Sequence, residues 1–250
     1  MITDKFLKGR QGVELGYEER IAIEQAVSEV RVIPPRTLLI EAGKPLRHSV
    51  FIIEGMMCRY ISDRDGLRQL VGLHLPGDFI DLHSYILNRL EHDIASLTEA
   101  RIALVPHDRI RPLVADPELG RKLWFSTLLD AAMHRVWLFR LGRLDAMGRV
   151  AHFLCETDAR LRAVGMSDGH RFALDLTQTD LAEICGVTSI HMNRILRQLR
   201  EEGLCTYRQS FVEMIRSDLL ARRGQFDDGY LYLDDDVVRA TKPAFAGLDT

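Results

Sequence analysis

With 250 residues, 46% of them hydrophobic and 28% charged, the chain has ordinary globular composition and room for one large or two ordinary domains. A net charge of -3 argues against a general polyanion-binding protein, so any nucleic-acid role must be sequence-directed. The first residues, MITDKFLKGR, lack an apolar core, no run approaches the ~18 apolar residues of a membrane span, and Cys58, Cys155, Cys185 and Cys205 are scattered without CxxC or metal-ligand spacing. These features predict a soluble, reduced, cytoplasmic protein with no metal site and no membrane contact.

A helix is predicted around Tyr17 to Val27. From Val30 to about His107, short apolar runs such as TLLIEAG, SVFIIEG and RIALVPH alternate with turn signals, and Gly43, Gly55, Gly66 and Gly77 fall 12, 11 and 11 residues apart. This spacing predicts an all-β domain of about eight strands. Past Asp116-Pro117 the pattern turns helical as far as about Leu141. There Phe125, Leu129, Ala132, Val136 and Phe139 are spaced 4, 3, 4 and 3, while Trp124, Leu128, Ala131 and Leu138 form a second apolar stripe. One stripe can cover the β-domain and the other needs a partner. The Phe125 to Phe139 seam is expected at a homodimer axis, the alternative being a helix buried within one chain.

A hinge is expected at Gly142 to Asp145, with Asp145 capping a further helix to about Val164. Then comes LTQTDLAEICGVTSIHMNRILRQLREEGL, from Leu176 to Leu204. Thr177 is a good N-cap, Leu181, Ile184 and Cys185 recur at i, i+3 and i+4, and Gly186 can end the helix in a left-handed conformation. A second helix restarts at once, with Met192, Ile195, Leu196 and Leu199 on one face and Ile190, Arg194, Arg197 and Glu201 on the other. Two short helices around a glycine turn are the layout of a DNA-reading helix-turn-helix. Arg194, near the N-terminal end of the second helix, can contact guanine, with His191 and Asn193 beside it, and exposed Ile190 can pack on a thymine methyl. Leu204 to Arg208 and Phe211 to Ile215 alternate around Gln209 and Ser210, which predicts a two-stranded wing. From Asp175 to Arg216 there are five arginines and six acids, so the module is not basic as a whole. After Arg223 the chain is acidic around Asp234 to Asp236. Tyr230 to Leu233 can dock on the preceding module, and a solvated end is expected beyond Asp234.

The predicted class is therefore α+β: a β-roll sensor over residues 1–116, a dimerisation helix over 117–141, a winged helix-turn-helix over 142–220 and a tail over 221–250. Together with Gly77-Asp78-Phe79-Ile80, Gly148-Arg149-Val150-Ala151 and the helix-turn-helix, this order resembles the CRP/FNR family of bacterial transcription regulators. The resemblance covers roughly residues 15 to 220. It implies a β-roll of the cyclic-nucleotide-binding jelly-roll type and a homodimer on a two-fold symmetric double-stranded operator, with RNA polymerase as a candidate further partner. Carried over, it assigns Thr177, Gln178, Thr188 and Arg197 to DNA phosphates and Ser189, Ile190, His191, Asn193 and Arg194 to bases. Ile190 stands where the family usually has a glutamate. His191-Met192-Asn193-Arg194 instead resembles a subgroup with a His-x-Asn-Arg reading helix.

Cyclic-nucleotide-binding members have a glutamate shortly after Gly-Asp-Phe-Ile and an arginine followed by Ser or Thr. Here the candidate pocket residues are Asp81, Leu82, His83 and Arg89, and Arg89 is followed by Leu90 and Glu91. No cofactor is therefore expected; a cyclic-nucleotide or haem response, the latter through His48, His74, His83 or His92, is the alternative. The iron-sulfur branch needs several N-terminal cysteines, and residues 1 to 57 contain none. A catalytic jelly roll would want clustered His/His/Glu, absent here, so no enzyme is expected. The remaining rival is a signal-binding regulatory subunit that contacts protein rather than DNA, which would not need Arg194 or Ile190 exposed.

Overall fold

The computed structural model describes residues 1–239. Residues 2–13 run through turns interrupted by a bridge at Arg10, and the segment to Leu15 buries Phe6, Leu7, Val13 and Leu15, with the Phe6 ring edge-on to Phe51 and Phe79 at 6.0 and 5.4 Å. Helix α1 (Tyr17–Ala26) leads into strands β1 (Glu29–Ile33), β2 (Leu38–Ile40), β3 (His48–Glu54), β4 (Met57–Ser62) and β5 (Arg68–His74). After these come the one-turn α2 (Ser84–Leu87), then β6 (Asp93–Ser96), β7 (Ala100–Pro106) and α3 (His107–Ala115). The strands form two antiparallel sheets, β1-β7-β3 and β2-β6-β4-β5, with Ile52, Met57, Ile80, Ile94 and Ile102 packed between them. Seven strands are described in the roll where about eight were expected. Gly77 to Ile80 runs beside β3 with a single bridge, Phe51 to Phe79. The four regularly spaced glycines all have positive φ, and at Gly77 a side chain would also strike the Lys5 carbonyl oxygen at 2.6 Å.

Helix α4 (Pro117–Arg143), capped by Asp116, continues two residues past its expected end. Only Leu144 and Asp145 separate it from α5 (Ala146–Ala163), where the Asp145 carboxylate accepts the Gly148 N–H at 2.8 Å. Helix α5 is the central post of the C-terminal half. It buries Val150, Phe153, Leu154 and Leu161, together with the polar His152, Glu156, Asp158 and Arg160. Strand β8 (Arg171–Ala173), α6 (Gln178–Cys185), α7 (Ser189–Glu201), β9 (Cys205–Arg208), β10 (Phe211–Met214) and α8 (Ser217–Gly224) complete that half, the strands ordered β8-β10-β9.

The α4 seam needs correction. Leu129 and Ala132 are buried inside the chain, Phe125 and Val136 are half-buried, and only Phe139 of the five is exposed. Phe125 lies edge-on to Tyr232 at 5.7 Å. The stripe left outside is the second one, with Trp124 at 67% exposure, Leu128 at 52% and Leu138 at 74%. In the tail, only the expectation of a solvated end beyond Asp234 is corrected. A single 3-10 turn (Gly229–Leu231) buries Leu231 and Leu233 against Ala159 and Ala163, and α9 (Asp235–Arg239) extends the ordered chain past Asp234, with Val237 and Val238 half-buried. Residues 9–11 clasp this segment: the Gln11 N–H donates to Tyr232 O at 3.0 Å and the Asp234 N–H to Gly9 O at 3.0 Å. The expectation for residues 240–250 lies outside the described residues. Among the described residues no helix is long and apolar enough to cross a membrane.

Candidate nucleic-acid interface

Helices α6 and α7 are each held by a polar start. The Thr177 hydroxyl accepts the Asp180 N–H at 3.2 Å, while the Asp180 carboxylate accepts the Thr177 N–H at 2.7 Å, a reciprocal capping box. Gly186, at φ +61°, ends α6 in the left-handed region, and the Thr188 hydroxyl caps α7 by accepting the His191 N–H at 3.2 Å. Met192, Ile195 and Leu199 then anchor α7 to the core. That anchoring turns Ile190, His191, Asn193, Arg194 and Arg197 to solvent, Ile190 at 71% exposure, with Ser189 half-buried.

Gln178, Asn193, Arg194 and Arg197 line one open groove with Leu196, Arg200 and Tyr207. Thr177 and Thr188 lie at the helix starts with their hydroxyls engaged in capping, so it is the free backbone N–H groups beside them that can face a phosphate. Sequence reasoning left Arg200, Leu196 and Tyr207 out of the site. Arg200 was legible as the third arginine of the same helix. Tyr207 owes its place to the wing: its hydroxyl donates to Leu174 O at 3.0 Å and to Leu176 O, tying β9 to the entrance of α6. Gln209 and Ser210, at φ 50° and 60°, make the left-handed pair of a tight hairpin turn. The third strand, β8, was missed, being only three residues long. It carries Arg171, whose guanidinium stacks over the Phe211 ring at 4.2 Å.

The module's acids are consumed internally. Asp180 binds Arg36 of the β-roll through both oxygens at 2.7 and 2.8 Å, and Glu183 binds Arg68 at 2.9 Å. Asp175 accepts the Ser210 hydroxyl, Glu202 the Gln198 amide and Glu201 the Arg197 guanidinium at 2.7 Å. Arg194 and Arg200 have no acid partner within 4.0 Å among the described residues. A module with one more acid than arginine thus still presents an uncompensated positive face, which suits a phosphate-lined groove.

Comparison with known proteins matches both halves of the chain. Residues 30–116 match the family described as a cyclic nucleotide-binding domain, and residues 148–223 the Crp-like helix-turn-helix domain. The transcriptional activator protein FnrL of Cereibacter sphaeroides is 26% identical over 192 residues, covering 74% of this chain and 76% of that one. The nitrogen fixation regulation protein FixK of Bradyrhizobium diazoefficiens is 30% identical over 154 residues, 61% of this chain and 63% of its own. The chain belongs to the CRP/FNR family of transcription regulators. It is a DNA-binding regulator, and its fold is shared with FixK2 from Bradyrhizobium japonicum at a TM-score of 0.71, with 23% identity over 78% of this chain and 96% of that one.

In this CRP/FNR protein the residues expected to form a ligand pocket are not brought together. Asp81 is fully buried and serves the fold, accepting the Val50 N–H at 2.6 Å and the Ser84 hydroxyl at 3.2 Å; burial pushes its carboxyl up to about 7. Leu82 packs into the core, and Arg89 lies exposed beside Gly43 and Glu91. His83, mostly buried, has its pKa lowered to about 4 by desolvation and by Arg59. Arg59 is the residue that sequence reasoning missed. Its buried guanidinium spans from the roll to α4, donating to Ile80 O at 2.8 Å and to the Asp130 carboxylate at 2.7 Å. With Arg59 filling this junction, the Asp81 carboxylate engaged by Val50 and Ser84, and Leu90 supplying no hydroxyl beside Arg89, the residues present do not fit a cyclic nucleotide. All four cysteines are buried, and burial pushes the Cys58 and Cys205 thiols up to about 12, far from a reactive thiolate.

Proposed function

We propose that this regulator works in the cytoplasm as a homodimer without catalytic activity, cyclic nucleotide or haem, and places two copies of α7 in successive major grooves of a two-fold symmetric operator. The observation that carries the reading is the bare Arg194 guanidinium, exposed in a groove with Gln178, Asn193, Arg197 and Arg200 while every neighbouring acid has a partner. Arg194 would read guanine through O6 and N7, Asn193 and His191 would read the flanking bases, and Ile190 would pack on a thymine methyl. With Ile190 in place of the usual acid, the half-site would differ from that of glutamate-bearing relatives, as expected of a His-x-Asn-Arg subgroup. The N–H groups at the start of α6 and α7, with Gln178 and Arg197, would hold phosphates and fix the register. A dimer bound in this way could change transcription by meeting RNA polymerase.

The partner surface for dimerisation would be the exposed α4 stripe, in which Trp124, Leu128, Ala131, Arg135 and Leu138 follow the 4, 3, 4, 3 spacing of a two-helix seam. Leu138→Asp is expected to give a monomer in sedimentation. Selection of bound sequences from random DNA with the purified protein tests the operator. Two inverted half-sites, with centres about one helical turn (~34 Å) apart, are expected. Enrichment of no motif would favour a protein-contacting regulatory subunit.

A further inference from the structure

The N-terminal turns, the Gly77 turn, α4 and α5 enclose a cavity remote from the DNA face. Its empty space is about 540 Å3 including an open mouth, and the enclosed part has room for about three water molecules, the size of one oxyanion. Its walls include the cations Lys5, Lys8, Arg10 and Arg160 and the carboxylates Asp78 and Asp130. Both carboxylates are already matched, Asp78 by Arg160 at 2.8 Å and Asp130 by Arg59 at 2.7 Å. Three positive charges remain.

Arg10 is the deepest of the three, only 7% exposed, and its one protein hydrogen bond goes from Nη1 to Leu231 O. No acid lies within 4.0 Å of it among the described residues. A guanidinium carries five N–H donors, so most of its capacity is unspent. Desolvation and the repulsion of Arg160 lower its pKa to about 10 against the opposing pull of Asp78, Glu156 and Asp234, so the fold holds this cation at a net cost that an arriving anion would offset. Lys5 is half-buried and Lys8 exposed among the lining residues, Lys8 also bordering the neighbouring groove that Glu14 and Asp234 to Asp236 line. His74, buried beside them, is held neutral by desolvation and by Arg59 and so adds no charge of its own; its Nδ1 lies 3.8 Å from the Asp78 carboxylate and its Nε2 turns toward Gly72, outside the cavity lining.

We propose that this cavity binds a small phosphate-type oxyanion on Arg10, with Lys5 and Lys8 completing the charge match. The ion is either free inorganic phosphate or the terminal phosphoryl group of a small molecule reaching through the mouth. Because Arg10 also holds the C-terminal clasp and Arg160 belongs to α5, occupancy would tighten the joint between roll, central helix and C-terminal half.

Calorimetric titration and thermal unfolding of the full chain without DNA test this site, with inorganic phosphate, glycerol phosphate and chloride compared at matched ionic strength. One saturable phosphate per chain and a rise in Tm absent in chloride are expected. Tighter binding of glycerol phosphate would assign a phosphoryl group on a larger molecule, and tighter binding of inorganic phosphate the free ion. Arg10→Gln should weaken binding on the order of ten- to a hundredfold, the loss of a charge-assisted contact. Lys8→Gln, at an exposed position that leaves the fold intact, should weaken it a few-fold, and decides the matter if Arg10→Gln does not fold. Absence of saturable binding, or affinity unchanged in Lys8→Gln and in any folded Arg10→Gln, overturns the proposal.

Discussion

Arg59 and Arg194 are the same residue type put to opposite uses at the two ends of the molecule. Arg59 lies buried between the β-roll and α4, its charge matched by Asp130 and its remaining donors turned on Ile80 O. Arg194 stands in solvent on α7 with no acid beside it. The β-roll end is closed on itself and the helix-turn-helix end is open. A guanidinium already satisfied inside the fold contributes structure, whereas a bare one keeps its donors for a base edge.

That contrast can be broken most forcefully at the closed end. Asp130→Ala leaves the Arg59 guanidinium buried against a single carbonyl, and is expected to destabilise the protein by about 3 to 5 kcal/mol in denaturant unfolding. Replacing both partners, Arg59→Met with Asp130→Leu, should recover most of that loss, because the cost lies in the orphaned charge rather than in the pair. If Asp130→Ala alone is neutral, Arg59 is not locked, and the closed description of the roll fails.

At the open end the sign of the experiment reverses. Arg194→Ala should leave the thermal midpoint unchanged and lower specific operator affinity by about 1 to 3 kcal/mol in gel-shift titration. Unchanged specific binding would remove Arg194 from the reading face.

The closed end also carries a group that titrates near neutrality. Asp81 sits inside the roll with its carboxyl raised by burial to about 7, against an ordinary value of 3.8. The folded chain therefore keeps a proton that the unfolded chain releases between those values. The stabilisation from this group is complete below about pH 4, is lost as pH rises toward 7, and changes no further above that. Wild type should lose up to about 1.4 kcal/mol per pH unit relative to Asp81→Asn over this window. Parallel stability profiles would mean that the Val50 N–H and Arg59 keep the carboxylate ionised.

This asymmetry explains what could be read from the sequence. The α6–α7 pair was legible because its determinants are local: a cap, a glycine and an apolar period within one stretch fix which side of α7 faces out. The turn glycines of the roll were legible for the same reason. Arg59 was not, because its acceptors lie 21 and 71 residues away and nothing in Met57 to Ser62 marks an inward arginine. The outward stripe of α4 was misassigned because both stripes are apolar at heptad spacing. Asp130 meeting Arg59, and Phe125 meeting Tyr232, decide which one turns inward. The C-terminal clasp joins Arg10 to Leu231 across 221 residues, a pairing that no local pattern announces.

The smallest effect separates two neighbours on α7. Arg197 is tied to Glu201 at 2.7 Å, whereas Arg200, one turn beyond Arg197 along the same groove, has no acid partner among the described residues. A cation that reaches a DNA phosphate releases condensed counterions, so its removal flattens the dependence of log affinity on log salt by about one unit. Arg200→Ala should show that change in full. Arg197→Ala should show less, because Arg197 must first leave Glu201, and in a Glu201→Gln background, which frees Arg197, the same substitution should show the full change. A larger change for Arg197 than for Arg200 would mean that the ion pair opens on DNA, and that the partners seen in the free protein do not predict which cations read the backbone.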